Sequence, residues 1–359
     1  MNLPPLGRVP LLLLGFVGLV IGVGAGLARL GWAVPEIAAA AAGLHGALMI
    51  CGFFGVVISL ERAVAIGRLW AYAAPLLAGL GTLAALSGAP GLAAECYLGS
   101  SVLLLIGSLD IVRRQPALFT VTIALGAACW GVGNARWAAG FDASSVVPWW
   151  LAFLILTIAG ERLELSRFMP PSALAQRVFG ALLVVAAIGL VGAGRAWGAS
   201  VFASALLGLA VWLFKQDIAR RTVHQRGLTR FIAVCLLSGY FWLGLGGAVI
   251  LGAGGLTSGT ASYDAALHAL AVGFVFSMVF GHAPIIVPAV LRVAVPYQPS
   301  FYVPLALLHG ALALRVAGDA AGQLGWTRWG ALLTALALAA FIANTASAVW
   351  RGRRAADRQ

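Results

Sequence analysis

Histidine is the residue type that could do chemistry in the apolar parts of this sequence. Four of the five histidines, His45, His268, His282 and His309, lie in long apolar runs, and His224 lies in an arginine-rich polar segment. A neutral imidazole is a common ligand of haem iron and copper, and a titratable side chain in an apolar environment is by default a functional candidate. The alternative is that each histidine only donates a hydrogen bond to a neighbouring helix.

Composition indicates which elements must position these histidines. Of 359 residues, 62% are hydrophobic and 9% charged, and the mean hydropathy is +0.99. Because a soluble globular protein has about a quarter charged residues, this composition excludes that class, as well as disordered chains, coiled coils and disulfide scaffolds. A helix needs about 20 residues to cross the hydrocarbon core, so we predict a single all-α polytopic membrane domain over residues 1–359, a twelve-transmembrane-helix bundle. The spans are predicted near 9–32, 36–60, 69–89, 92–112, 118–137, 144–165, 178–193, 199–215, 231–252, 262–292, 299–317 and 328–350. A count of ten or eleven stays open because the seventh and eighth runs are short.

The charge balance predicts an orientation for these spans. The chain has 23 basic and 11 acidic residues, a net charge of +12. With twelve spans, eighteen basic residues share the side that holds both termini. The opposite side holds Arg29, Arg136, Arg195, Arg315 and Arg328. The positive-inside rule then places both termini in the cytoplasm, with the chain in the cytoplasmic (inner) membrane. The excess positive charge is thus a topology signal, and no nucleic-acid partner is expected; the partner is the lipid bilayer.

The four apolar histidines fall at two depths. At about 1.5 Å per residue, His45 and His268 lie about 13 and 9 Å from the outer ends of their spans, and His282 and His309 about 15 Å from the inner ends. One bundle interior could hold both levels. We expect the outer pair to be the better metal ligands.

The inner pair has a competing explanation. The segment from Gly281 to Pro288 includes Pro284, and the two prolines predict a helix break there. An exposed carbonyl at the break could hold His282 by a hydrogen bond without any ligand.

Glutamates at two span ends are expected to form ion pairs at the membrane interface. Glu161 would pair with Arg162 or Arg167, and the start of a proton path is the alternative. The ends of spans two and six read Ile-Ser-Leu-Glu-Arg and Ile-Ala-Gly-Glu-Arg, and span ten ends in Arg292. This spacing of four helices suggests three four-helix arcs.

Two histidine-containing stretches resemble a known family. The stretch His45-Gly-Ala-Leu-Met-Ile-Cys-Gly-Phe-Phe-Gly-Val-Val-Ile58 resembles the second helix of NnrS proteins, and Leu267-His268-Ala-Leu-Ala-Val-Gly273, with Met278, resembles their later His-Ala-Leu segment. NnrS proteins are twelve-span bacterial membrane proteins associated with haem, copper and relief of nitric oxide stress. Their architecture is similar to subunit I of the haem–copper oxidases, in which histidines on helices two and ten hold a low-spin haem.

The resemblance implies that His45 and His268 are the axial ligands of a haem b. In the oxidases the copper ligands lie on helices six and seven, where this sequence has no histidine, so an oxidase-type copper centre is not expected. Arg136, as one of the outer arginines, could bind the haem propionates. His282 and His309 would form a second metal or substrate site, with copper as the implied metal.

Three functions are consistent with the sequence. The first is a haem or haem/copper membrane protein that binds or processes nitric oxide or a related diatomic, or transfers electrons. The second is a proton-coupled transporter of a small molecule or metal ion, which rests on the predicted helix break near Pro284 and Pro288. The third is a membrane subunit or assembly factor whose histidines only pack. Enzymatic activity, catalytic residues and oligomeric state stay open.

Overall fold

The described part of the chain forms twelve helices that are long and apolar enough to cross a membrane. The computed structural model describes residues 2–166 and 170–356, and these ranges contain no β-strand. The helices are α1 (Pro5–Arg29), α2 (Ala42–Ile66), α3 (Leu69–Leu86), α4 (Pro90–Arg114), α5 (Leu118–Ala138), α6 (Ser145–Leu165), α7 (Ala173–Val191), α8 (Ala196–Gln216), α9 (Gly227–Gly252), α10 (Ala261–Leu291), α11 (Pro299–Ala321) and α12 (Leu324–Arg354). The predicted all-α, twelve-helix fold is confirmed, and the chain is a multi-pass membrane protein.

Residue types at the helix ends explain several of these boundaries. Helix α4 begins at Pro90, whose missing N–H is not needed in the first turn. Helices α2 and α11 are followed by Gly67 and Gly322, which adopt left-handed backbone conformations with φ of 70° and 65°. Glycine takes this conformation without a steric penalty. The chain therefore turns sharply at these points and starts the next helix.

The helices group into two compact units, Met1–Gly160 and Glu161–Gln359. In the first unit, α1 packs on α2 and α3, and α4 packs on α3 and α5. In the second unit, α9 packs between α8 and α10, and α11 packs on α10 and α12. The packing therefore gives two units, whereas the repeated Glu-Arg pattern suggested three four-helix arcs.

Two of the twelve helices contain a π-helical segment. In α2 this segment is Leu48–Phe54, which begins three residues after His45. In α10 it is Ala269–Phe276, which begins directly after His268. π-Helical turns are rare and occur frequently at functional sites. The same local structure thus follows the two histidines that the sequence selects as the better ligands.

Helix α1 approaches the π-helical segment of α2 closely because it has glycine at the contact. A Cβ atom at Gly18 would lie 3.1 Å from the carbonyl oxygen of Leu48 and 3.1 Å from the amide nitrogen of Phe53. A larger residue at this position would press on main-chain atoms, which cannot move away as a flexible side chain could. Small residues have the same role in many membrane-helix contacts.

The start of the second span differs from the prediction. Residues Glu36–Ala40 form a separate short helix, and the backbone leaves helical geometry at Ala41. His45 is therefore the fourth residue of α2, about 4.5 Å from its start, whereas His268 lies about 10 Å into α10. The predicted distance of about 13 Å between His45 and the outer end of its span is therefore wrong, because it counted residues from position 36 and α2 begins at Ala42.

The prediction of a helix break at Pro284 and Pro288 in the tenth span is also wrong. The helix is continuous from Ser277 to Leu291, with Pro284 and Pro288 inside it. Each proline lacks the N–H that would bond the carbonyl four residues earlier, but the backbone keeps its helical course. The departure from α-helical geometry in α10 is the π-helical segment, which ends before the first of these prolines.

Candidate functional site

His45 is held against α1 by two glycines of that helix. Its Nδ1 atom lies 2.7 Å from the carbonyl oxygen of Gly22. A carbonyl oxygen only accepts hydrogen bonds, so Nδ1 carries the proton of the neutral ring, and the lone pair is on Nε2. A Cβ atom at Gly26 would lie 2.8 Å from Cε1 and 2.9 Å from Nδ1 of the ring. The Gly22 carbonyl therefore fixes the tautomer, and the lack of a side chain at Gly26 leaves room for the ring.

This contact predicts a stability difference between two glycine variants. Gly26→Ala is expected to destabilise the protein by about 1–3 kcal/mol, because the new methyl group overlaps a ring that Gly22 holds in place. The matched control is Gly46→Ala in α2, where a Cβ atom would meet nothing within 4 Å. Alanine there is expected to be neutral or stabilising by up to about 1 kcal/mol. Thermal unfolding in detergent measures the stability of both variants. Equal melting temperatures for the two would contradict the contact between Gly26 and the His45 ring.

His268 has the same tautomer for a similar reason. Its Nδ1 atom lies 2.8 Å from the carbonyl oxygen of Asp264, one turn earlier in α10. The Asp264 carboxylate is also close, with Oδ1 3.4 Å from Nδ1. Nδ1 therefore carries the proton in the neutral ring, and the lone pair is again on Nε2.

Arg315 of α11 binds the carboxylate beside His268. Its Nε and Nη2 atoms donate to the two oxygens of Asp264 at 2.9 and 3.0 Å. The arginine is 8% exposed. The sequence counted Arg315 among the outer arginines that could bind propionates. The structure instead gives it a carboxylate partner from the chain, which orients Asp264 next to His268.

His282 lies in a buried polar cluster that the sequence did not reveal. Its Nδ1 atom donates to the carbonyl oxygen of Met278 at 2.7 Å. Its Nε2 atom lies 3.3 Å from Nη1 of Arg162, which is in the last turn of α6. A guanidinium group only donates, so this nitrogen accepts the hydrogen bond. The contact uses the lone pair that a metal ion would need.

Arg162 is fixed by a fully hydrogen-bonded aspartate. Its Nε and Nη2 atoms donate to the two carboxylate oxygens of Asp217 at 2.7 and 3.0 Å. The hydroxyl of Tyr240 and the amide of Ala219 donate to the same carboxylate at 2.6 and 2.8 Å. The side chains of the ion pair are only 5% and 2% exposed. The sequence predicted Glu161 as the partner of Arg162 and did not identify Asp217. Arg167, the other predicted partner of Glu161, lies outside the described residues.

His309 has the opposite tautomer. The indole N–H of Trp242 donates to its Nδ1 atom at 2.9 Å, and the two rings are nearly parallel, 10° apart. Nδ1 is therefore the acceptor, and Nε2 carries the proton. Within the part of the chain that the structure describes, Nε2 is buried without a hydrogen-bond partner. The structure thus brings His309 to Trp242 and His282 to Arg162, and each contact opposes metal binding at Nε2.

A buried polar cluster in the first unit surrounds the π-helical segment of α2. Trp130 donates to the sulfur of Cys51 at 3.3 Å, and Cys51 contacts the side-chain oxygen of Asn134 at 3.2 Å. Trp150 donates to the same oxygen at 2.9 Å. The four cysteines of the chain are free thiols. Cys51 is buried and belongs to this hydrogen-bonded cluster.

Arg136, the predicted propionate ligand, lies at the end of α5. The centre of its guanidinium group is 4.3 Å from the centre of the Phe141 ring. Among the described residues its Nε atom is buried and has no hydrogen-bond partner. A buried N–H without a partner is costly, so this group is suited to an acceptor that the described residues do not supply.

The described residues include no group of three or more His, Cys, Asp or Glu side chains that could hold a metal ion.

Comparison with known proteins gives one family. No curated protein and no solved structure matches the chain. One family model, described as a domain of unknown function (DUF8744), matches residues 8–350. This match covers nearly the whole chain, and the protein belongs to the DUF8744 family.

Proposed function

We propose that this protein is a membrane haem protein in which His45 and His268 are ligands of a haem b. It would bind nitric oxide or a related diatomic, or transfer electrons. One observation carries the proposal. Both histidines donate through Nδ1 to a backbone carbonyl, and a π-helical segment begins within three residues after each.

The Nδ1 hydrogen bonds are what a histidine ligand of a metal requires. Such a histidine almost always donates its other ring N–H to a carbonyl, a carboxylate or water, which fixes the tautomer and orients the ring. Gly22 and Asp264 provide these acceptors. The carboxylate of Asp264, held by Arg315, lies next to the same nitrogen of the His268 ring. Both rings are therefore oriented by the chain alone.

The donor set suits haem better than a simple metal ion. A haem has four nitrogen ligands of its own, so one or two protein ligands hold its iron. This requirement is compatible with the lack of a cluster of three or more metal-binding side chains among the described residues. When bound, haem supplies one-electron chemistry and a site for diatomic gases. Arg136, with its buried Nε, would bind a propionate.

The contacts of the inner histidines restrict the proposal to haem. The resemblance also implied copper, with His282 and His309 as a second site. Arg162 donates to Nε2 of His282, and Trp242 gives His309 the tautomer with a protonated Nε2. A copper ion at this pair would have to displace both contacts.

Transport has less support than haem binding. The transport hypothesis rested on a discontinuous tenth helix at the two prolines, since such helices expose carbonyls to a substrate. The helix is continuous through Pro284 and Pro288.

The proposal also includes the predicted orientation in the cytoplasmic membrane, with both termini in the cytoplasm. The division of the basic residues, eighteen on one side and five on the other, supports this orientation.

Absorption spectroscopy tests the proposed cofactor. The protein is expressed with added haem precursor, purified in detergent, and measured oxidised and after reduction with dithionite. We expect a Soret band, reduced bands of a b-type haem, and about one haem per chain by the pyridine haemochrome method. A preparation with no Soret band and no iron by elemental analysis would refute the proposal.

A further inference from the structure

Arg351, near the end of α12, has two buried donors that no described residue satisfies. Its Nη1 atom donates to the hydroxyl of Ser347, one turn earlier. Its Nε and Nη2 atoms are both buried, and within residues 2–166 and 170–356 neither has a hydrogen-bond partner. Burying a charged donor without an acceptor is costly, and more so for a charged group than for a neutral one. The arrangement therefore calls for an acceptor from outside the described chain.

The same edge of the guanidinium group binds acids elsewhere in this unit. Arg162 uses Nε and Nη2 to hold both oxygens of Asp217 at 2.7 and 3.0 Å. Arg315 uses the same two atoms on Asp264 at 2.9 and 3.0 Å. Two parallel N–H donors match two oxygens of one anion. The expected partner of Arg351 is thus an anion that offers two oxygens side by side.

The surroundings of Arg351 are those of a helix end at a membrane interface. Trp350 is 54% exposed, and the Arg354 guanidinium lies 3.6 Å from the centre of its ring. Tryptophan and arginine are typical residues at the level of lipid headgroups. On the other face, Gly352 packs against Ala294, where a Cβ atom would lie 2.6 Å from the Ala294 carbonyl oxygen. The segment after α10 therefore contacts α12 at Gly352.

We propose that Arg351 binds the phosphate of an anionic phospholipid through Nε and Nη2. A phosphodiester has two non-bridging oxygens, which suit this edge of the arginine. The site lies at the end of a membrane-spanning helix, where headgroup phosphates are the most abundant anions. The predicted topology places this end at the cytoplasmic surface, where anionic lipids attract arginine. The inference does not depend on haem binding.

Lipid titration with a matched arginine pair tests the site. Delipidated protein in neutral detergent is titrated with phosphatidylglycerol, phosphatidylcholine or inorganic phosphate, and bound lipid is counted by native mass spectrometry. Arg351→Gln is expected to bind phosphatidylglycerol about tenfold more weakly than the unmodified protein. The control Arg353→Gln removes the same charge from an exposed position two residues away and is expected to change binding less than about twofold.

A lysine variant separates the two-donor edge from charge alone. Arg351→Lys keeps the charge but loses the paired donors, so binding is expected to fall between that of the unmodified protein and Arg351→Gln. Arg351→Lys also tests the site if Arg351→Gln does not fold. Equal losses of phosphatidylglycerol affinity in Arg351→Gln and Arg353→Gln would overturn the proposal. Saturation of the site by inorganic phosphate at the same concentration as the lipid would also overturn it. Lipid binding that appears only after deletion of residues 357–359 would also overturn it, because the chain's own carboxylates would then be the partner.

Discussion

Under the proposed haem binding, His45→Ala and His268→Ala are each expected to lower the haem content of the purified protein by at least about tenfold. Loss of a group that only supports a metal ligand typically costs 10–100-fold in affinity, and loss of the ligand itself should cost no less. Neither alanine can supply a nitrogen to the iron. Haem content by the pyridine haemochrome method, divided by protein concentration, measures the effect.

Two other histidines are the controls for this result. His224 lies in the polar segment between α8 and α9, so His224→Ala should keep the full haem content. His309→Ala should also keep it, because Trp242 fixes the tautomer whose Nε2 carries a proton. Full haem content in both His45→Ala and His268→Ala would contradict the assignment of ligands. Loss of haem only in His309→Ala would indicate that the haem site lies at the inner level, near His309.

The twelve helices could be predicted from the sequence because the membrane imposes a simple rule. Backbone groups in hydrocarbon must be satisfied within the segment, so each apolar run of about 20 residues forms a helix. Most boundaries differ from the prediction by a few residues, as for the fifth span, predicted at 118–137 and found at Leu118–Ala138. The exceptions are the two ends of α2, predicted at 36–60 and found at Ala42–Ile66. At its start, the apolar run continues through a change in backbone direction at Ala41. Hydropathy does not detect such a change.

The buried cluster around His282 could not be predicted for two reasons. Asp217 follows Lys215 at the end of an apolar run, which is typical of a solvated residue, yet it is 7% exposed. Its partner Arg162 lies 55 residues earlier in the sequence, and a single sequence does not indicate contacts at that distance. The buried Tyr240 in the middle of α9 was the available signal, since a buried hydroxyl needs an acceptor.

The π-helical segments also had no signal in the residue types. Leu48–Phe54 and Ala269–Phe276 consist of apolar residues and glycine, which are equally suited to an α-helix. In the second segment, Gly273 packs so closely against Trp242 that a Cβ atom there would overlap the indole ring. Sequence alone could therefore select His45 and His268 as candidate ligands, but not the local structure that follows each of them.

Breaking the ion pair between Arg162 and Asp217 is expected to have the largest effect on stability. Arg162→Met should destabilise the protein by about 3–5 kcal/mol, because it leaves the carboxylate of Asp217 buried without its cation. Tyr240 and Ala219 would still donate to that carboxylate, but neither carries a positive charge. Equilibrium unfolding by denaturant in detergent measures the loss.

A double variant and an exposed ion pair make this prediction specific. In Arg162→Met combined with Asp217→Leu, no unpaired charge is left, so most of the lost stability should return. Arg114 and Asp110 in α4 form the comparison pair, with side chains 51% and 30% exposed. Arg114→Met should cost at most about 1 kcal/mol, because water screens exposed charges. If Arg162→Met costs no more than Arg114→Met, or if the double variant is less stable than the single one, charge burial is not the reason for the effect. The expected pattern instead identifies the pair as a buried ionic contact that holds α6 against the loop after α8 and orients the guanidinium group toward His282.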